Sequence, residues 1–185
     1  MQPHEYDFDD QLIMSSGVAA NADIKSIVLE NIPGSINLHQ AGVDNDKQGI
    51  DWWVEMNTAN HLSIDAKVRK IDWAATHPDE DDLALETWSV VEKEVIGWTR
   101  DKNKKCDYVL WLWIDTGRFC IIPFPMLCRV FIKKWQSWRS VYKTKQQFTP
   151  RFGDGYHSEC VFVPRRQIWA EIYKNYGGSL RITGQ

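Results

Sequence analysis

Helical and extended hydrophobic rhythms alternate along the chain. In ADIKSIVLENI, Ile24, Ile27, Val28 and Asn31 recur at the spacing of one helix face, with Asp23 near its start. Pro33 and Gly34 end that helix, and HQAGVDNDKQG reads as a polar loop. GIDWWVEM and HLSIDAKVRKI are strand-like runs separated by NTAN, placed to form a hairpin. An acidic loop, THPDEDD, leads to a third strand candidate, LALETWSVVEK, and GWTRDKNKK is a basic connection. CDYVLWLWID and TGRFCIIPF predict a further hairpin turning around Thr116 and Gly117.

The next segment, PMLCRVFIKKWQSWRSVY, puts Met126, Val130, Phe131, Trp135 and Trp138 on one helical face. Arg129, Lys133, Lys134 and Arg139 lie on the other, so the helix is amphipathic and basic. KTKQQFTPRFGDG reads as a polar, basic loop, YHSECVFVP as a last strand and RRQIWAEIYKNY as a closing helix. Residues 1–20 show no periodicity and are expected to form an arm. No repeat or interdomain linker interrupts the pattern, which predicts one α/β domain over residues 1–185 with a central mixed or antiparallel sheet. Within it, 21–123 form the core and 124–185 supply basic helices and the last strand.

Composition narrows the class. At 185 residues, 43% hydrophobic and 25% charged, the chain has the make-up of a globular protein with a sizeable core. No apolar run approaches the length of a membrane span, and YVLWLWI has strand length. The acidic start MQPHEYDFDD is unlike a secretory signal, so a cytoplasmic location is expected. Cys106, Cys120, Cys128 and Cys160 have no metal-binding spacing and read as reduced and mostly buried. Among the ten tryptophans, Trp52, Trp73, Trp111 and Trp113 read as core, and so do Trp98, Trp135 and Trp138, for which stacking on unpaired bases is the alternative because their neighbours are basic.

Charge changes the picture more. Residues 1–94 carry 19 acidic and 6 basic side chains, whereas residues 95–185 carry 6 acidic and 16 basic ones. The division suggests a polyanion-binding side. The alternative is that the two halves are solvated faces that pair with each other.

The candidate chemistry sits in the first hairpin. On a strand, Asp65, Lys67 and Arg69 share one face, with Ile64, Ala66 and Val68 on the other. On the preceding strand Asp51, Trp53 and Glu55 point one way and Ile50, Trp52 and Val54 the other. Hairpin pairing then brings Asp51 towards Asp65. Two carboxylates brought together repel unless a cation sits between them, and oxygen donors suit Mg²⁺ or Mn²⁺. Lys67 beside the ion could orient or deprotonate a water, or neutralise charge on a phosphoryl transition state. A chance Asp-x-Lys on an exposed strand face is the plain alternative.

Gly49-Ile50-Asp51 followed by Ile64-Asp65-Ala66-Lys67 resembles the core of the PD-(D/E)XK nuclease superfamily, of phage and bacterial type. Ile50 stands where that pattern has proline. The resemblance spans roughly Ile24 to Pro123 and implies a restriction-endonuclease-like α/β fold, a central mixed sheet flanked by helices. It also implies a Mg²⁺- or Mn²⁺-dependent nuclease acting on DNA through a metal-activated water. Asp51, Asp65 and the Ala66 carbonyl match the metal ligands, and Lys67 the catalytic lysine. Glu30 on the first helix and Glu86 in the third strand are candidates for an additional catalytic acid, and Gln48 for a nearby hydrogen bond. Many proteins of this fold are dimers, which makes a homodimer an expectation.

A polyanionic substrate needs cations that touch phosphate without reading bases. Arg100, Lys102, Lys104 and Lys105 in one loop, then Lys133, Lys134, Arg139, Lys143 and Lys145, are the nucleic-acid-binding candidates, with Arg151, Arg165 and Arg166 beside them. His61 and His157 are the histidines nearest the candidate strands. The competing function is a non-catalytic nuclease-fold binding protein, either a nucleic-acid binder or a phage-encoded inhibitor of a host defence complex.

Overall fold

A computed structural model describes residues 22–46, 48–58, 60–150 and 155–176. The expected arm at 1–20 and Arg151 lie outside them. In chain order the elements begin with helix α1 (Ala22–Asn31), strand β1 (Ser35–Gln40), the one-turn helix α2 (Val43–Asp46), β2 (Trp52–Met56) and β3 (His61–Arg69). They continue with β4 (Asp82–Val90), β5 (Val95–Ile96), β6 (Tyr108–Trp113) and β7 (Phe119–Pro123). Helix α3 (Phe124–Val141), β8 (Thr144–Thr149), β9 (Tyr156–Pro164) and α4 (Arg165–Tyr176) complete the series. The protein is α/β, with two sheets ordered β1-β2-β3-β6-β7 and β5-β4-β9-β8. Among the described residues no helix is long and apolar enough to cross a membrane.

These elements sort into two compact units, Met1–Asp72 with Lys105–Pro123 and Trp73–Lys104 with Phe124–Gln185. That grouping cuts across the one read along the sequence, because residues 73–104 join the C-terminal elements. The charge division is redistributed with it. The first unit holds 14 acidic and 7 basic side chains, and the second 11 and 15. Part of the acidic 73–94 stretch meets basic partners in the second unit, as where Arg165 donates to Asp81 at 2.8 Å.

The first unit is a mixed sheet. The hairpin expected from GIDWWVEM and HLSIDAKVRKI forms, with Trp52 opposite Ile64 and Glu55 opposite His61. Its outer neighbour is β1, paired antiparallel with β2, in a stretch whose last residues, His39 and Gln40, had read as loop. Only Leu38 of β1 is buried, so an edge strand with one covered side chain left no alternation to detect. Ile24, Val28 and Ile32 from α1 and its end pack against Leu38, Trp52, Val54, Ile64, Val68, Leu110 and Leu112. Helix α1 thus covers the sheet face opposite Asp65 and Lys67. The expected hairpin of β6 and β7 also forms, with Gly117 at φ 68° in its turn, where a side chain would be strained.

One sequence expectation fails here. If strand order followed sequence, LALETWSVVEK would lie next to the Asp65 strand, but β3 instead pairs in parallel with β6, Asp65 opposite Val109 and Lys67 opposite Trp111. Parallel neighbours need a long crossover, which residues 70–107 provide, and sequence order does not reveal such a partner. LALETWSVV becomes β4 of the other sheet.

In the second unit, β4 pairs antiparallel with β9, and β9 with β8. The segment KTKQQFT, read as loop, is this edge strand. Its side chains are mostly exposed, so it needs no apolar alternation. Helices α3 and α4 pack on β9, and Leu83, Leu85, Leu127, Phe131, Val161, Val163, Ile168 and Ile172 are buried. Trp73, expected in a core, is 41% exposed, whereas Trp52, Trp111, Trp113 and Trp138 are buried.

Gly97 closes a tight contact in this unit. A Cβ there would lie 2.4 Å from the Glu86 carbonyl oxygen, which is backbone and cannot swing aside. Gly97→Ala should therefore destabilise by about 2–3 kcal/mol, as overpacking does. A thermal unfolding midpoint equal to wild type would show that the strand yields instead.

Candidate active site

The β2–β3 hairpin ends in an arrangement built from the strand ladder itself. Asp51 immediately precedes β2, and its main-chain N–H donates to the Ile64 carbonyl at 2.8 Å. Its side-chain Oδ2 accepts the Ala66 N–H at 2.6 Å. The two bonds bracket Asp65, the residue between. A carboxylate thus takes the place a main-chain carbonyl would hold if β2 ran further. Since the N–H and C=O of one strand residue point to the same side, the Ala66 carbonyl opens towards Asp51 as well.

Asp65 is 1% exposed, and its Oδ1 lies 2.6 Å from Lys67 Nζ, a side chain that remains 24% exposed. Burial by itself pulls the Lys67 ammonium towards the neutral form. The charge and hydrogen bond of Asp65, with the charge of Asp51, outweigh burial and a smaller opposing influence of Arg69, leaving the pKa raised. Lys67 is therefore a firmly held cation beside two acids on adjoining strands. This is the grouping expected from alternation on the hairpin.

Carboxylates pin both ends of β3. At its start Asp107 Oδ2 accepts the Ser63 N–H at 2.8 Å and lies 2.7 Å from the Ser63 hydroxyl, while the Asp107 N–H donates back to Ser63 Oγ at 3.0 Å. Past its end the buried Asp72 receives Arg118 Nε and Nη2, each at 2.6 Å, and the Thr116 hydroxyl at 3.0 Å. The Asp72 N–H is held in turn by Asp115. Sequence reading missed these clasps. Their partners lie 43 to 46 residues apart, and no local pattern links them.

The other candidates fall elsewhere. Glu86 belongs to the second sheet, where its carboxylate accepts the Trp98 N–H at 2.8 Å and its N–H donates to Thr99 Oγ1 at 3.0 Å. It fastens the Gly97–Thr99 turn. Glu30 is exposed on α1, and Gln48 is exposed in the turn before Gly49, its amide donating to the Asp44 carbonyl. His61 stands opposite Glu55 at the far end of β3, and His157 contacts Glu92 at 2.6 Å in the second unit.

The basic candidates divide. Arg100 is only 9% exposed, its guanidinium 4.1 Å from the centres of both the Trp88 and Trp135 rings. Its Nε and Nη2 have no hydrogen-bond partner among the described residues, so it serves as a packed cation between two π faces. Arg139 forks onto Glu159 at 2.8 and 3.0 Å, and Lys134 reaches Glu171 at 3.1 Å. Lys104 covers the Trp98 ring at 4.7 Å, and Lys133 meets Asn175 at 3.3 Å. Lys102, Lys105, Lys143 and Lys145 are exposed. The surface of this set is thus narrower than the sequence list.

Lys143 and Lys145 also act on Asp82, whose carboxyl is pushed up to about 6. Burial is the main cause, Glu80 and Asp81 add to it, and the two lysines oppose it. Because the folded-state value is raised, the folded protein holds this proton more tightly, and stability is lost as pH rises from 3.8 through about 6. Asp82→Asn should therefore raise the unfolding midpoint at pH 8, by a margin that shrinks as pH falls below 6. A margin independent of pH would refute the assignment.

The candidate donors here are oxygens, the Asp51 and Asp65 carboxylates and the Ala66 carbonyl, the chemistry a hard cation takes. Among the described residues no group of three or more His, Cys, Asp and Glu side chains is placed to hold a metal. A cation here would rely on the acid pair, the carbonyl and water or substrate. Comparison with family models, curated proteins and solved structures gives no match.

Proposed function

We propose that the protein is a metal-dependent nuclease of PD-(D/E)XK type that hydrolyses phosphodiester bonds in DNA. The observation that carries the reading is the bracket of Asp51 around Asp65 together with the 2.6 Å contact of Lys67 to Asp65. An acid entering one strand and an acid-x-lysine on its antiparallel neighbour is the arrangement the sequence resemblance calls for. A mixed sheet covered on one face by α1 agrees with the restriction-endonuclease-like fold it implies.

Asp51, Asp65 and the Ala66 carbonyl would hold Mg²⁺ or Mn²⁺. The ion, when bound, would polarise the scissile phosphate and make a water more acidic. Lys67 is charged and partly exposed, so its ammonium can donate to a phosphate oxygen and stabilise charge that builds there. Exposed Lys102, Lys105, Lys143 and Lys145 would contribute contacts to phosphate, and the affinity they supply would fall as salt rises.

The test is cleavage of DNA substrates, single-stranded and duplex, with Mg²⁺ or Mn²⁺ and with chelator. Activity that needs the cation and disappears in both Asp51→Ala and Lys67→Ala is expected. Cutting retained in both variants would remove the catalytic assignment. Salt-sensitive binding without any cutting would favour a non-catalytic binding protein.

A further inference from the structure

We propose that Lys67 couples cation binding to substrate binding, acting as the resident counter-ion of Asp65 until a phosphodiester draws its ammonium away. The inference rests on the nuclease reading above and concerns how that same site is filled.

Three observations lead to it. Asp65 is 1% exposed, so its charge needs a partner inside the protein, and Lys67 Nζ supplies one at 2.6 Å. Second, positive charge already stands at this acid pair: Lys67 Nζ lies against Asp65, and Arg69, next along the same strand face, acts on Lys67. A divalent cation added alone brings two further positive charges against that ammonium, whereas a phosphodiester arriving with it offsets part of them. Third, the Lys67 side chain is 24% exposed while Asp65 is sealed, so the lysine is the member able to turn. Its flexible stem lets the ammonium move from Asp65 Oδ1 to a phosphate oxygen without disturbing the strand. Asp51 cannot substitute as the mobile partner, because its Oδ2 is fixed on the Ala66 N–H at 2.6 Å.

It follows that the ammonium and the cation compete for Asp65 when no substrate is present, and that phosphate relieves the competition. By linkage, each of cation and nucleic acid then strengthens binding of the other by the same factor.

Mn²⁺ binding to the full chain, followed by the electron paramagnetic resonance of the free ion, tests this without any turnover. It would be measured alone and with phosphorothioate DNA oligonucleotides, single-stranded and duplex. Lys67→Met and Lys67→Gln are both used, since glutamine keeps a donor for Asp65 should methionine impair folding, and circular dichroism confirms the fold. Wild type is expected to gain about tenfold in Mn²⁺ affinity when an oligonucleotide is added, within the usual range of such couplings. The neutral variants should bind Mn²⁺ alone about tenfold more tightly than wild type and gain little from the oligonucleotide. Lys67→Arg should resemble wild type. Wild-type Mn²⁺ binding that is lost in Asp51→Asn but unchanged in both neutral variants would overturn the coupling and leave the nuclease reading standing. No Mn²⁺ binding by wild type under any of these conditions would overturn both.

Discussion

On the nuclease reading, Asp65→Asn should abolish metal-dependent cleavage and, separately, lower stability. The activity loss is expected to be about a thousandfold or more, the several kcal/mol that a metal-held phosphate contributes in the transition state. The stability loss has a different origin. Asp65 is 1% exposed and answers Lys67 at 2.6 Å, so its neutralisation strands an ammonium that the strand has partly enclosed. Breaking a buried pair by removing one partner costs about 3–5 kcal/mol, and the lower end applies because Lys67 can rotate towards water. A double-mutant cycle separates the two effects. Lys67→Met added to Asp65→Asn should recover part of the lost stability and none of the activity. Additive stability losses would show that the ion pair does not couple the two residues energetically, and full activity in Asp65→Asn would remove it from the site.

Glu159→Gln should lower the stability of the second unit by about 2 kcal/mol, since it weakens charged hydrogen bonds to a buried carboxylate whose partner Arg139 can still reach water. The Glu159 carboxylate is 2% exposed and receives Arg139 Nε and Nη2, the Thr87 hydroxyl at 2.8 Å and the Gln146 amide at 3.3 Å. Thr87 sits where the β4–β9 register shifts, so the same carboxylate pins a bulge. The hydrogen bond from Arg139 holds the Glu159 carboxyl below its ordinary value of 4.5, against burial and with help from Thr87 and Gln146. A depressed folded-state value means the stabilisation is fully present above pH 4.5 and fades as pH falls through the lower folded value. The gap between wild type and Glu159→Gln in chemical denaturation should therefore be constant near neutrality and narrow at acid pH. A gap that persists unchanged at pH 3, or none at pH 7, would show that the charge does not matter.

Legibility in the sequence followed the range of the interaction. Asp51, Asp65 and Lys67 could be grouped beforehand because a hairpin with a short turn fixes which residues meet, and alternation fixes which face they share. The helix at 124–141 was visible from its spacing, but the fate of its basic face was not. Arg139 and Lys134 are engaged by Glu159 and Glu171, acids 20 and 37 residues further on. Arg100 looked like a loop cation and proved to be a packed one, because the two tryptophans that enclose it come from β4 and α3.

Glu86 marks the same boundary from the other side. Its place in an apolar strand was legible, yet the neighbour of that strand was not, and the acid caps a turn in the second sheet. By itself the sequence determined the three longer helices, most strands and the acid–lysine cluster, since each depends on periodicity or on residues within a single hairpin. Only the tertiary structure decided that β3 lies beside β6, that residues 73–104 join the C-terminal elements, and that several cations are already paired. Those outcomes rest on contacts between distant stretches, chosen by which surfaces bury well together and which charges they match, and no local spacing encodes that choice.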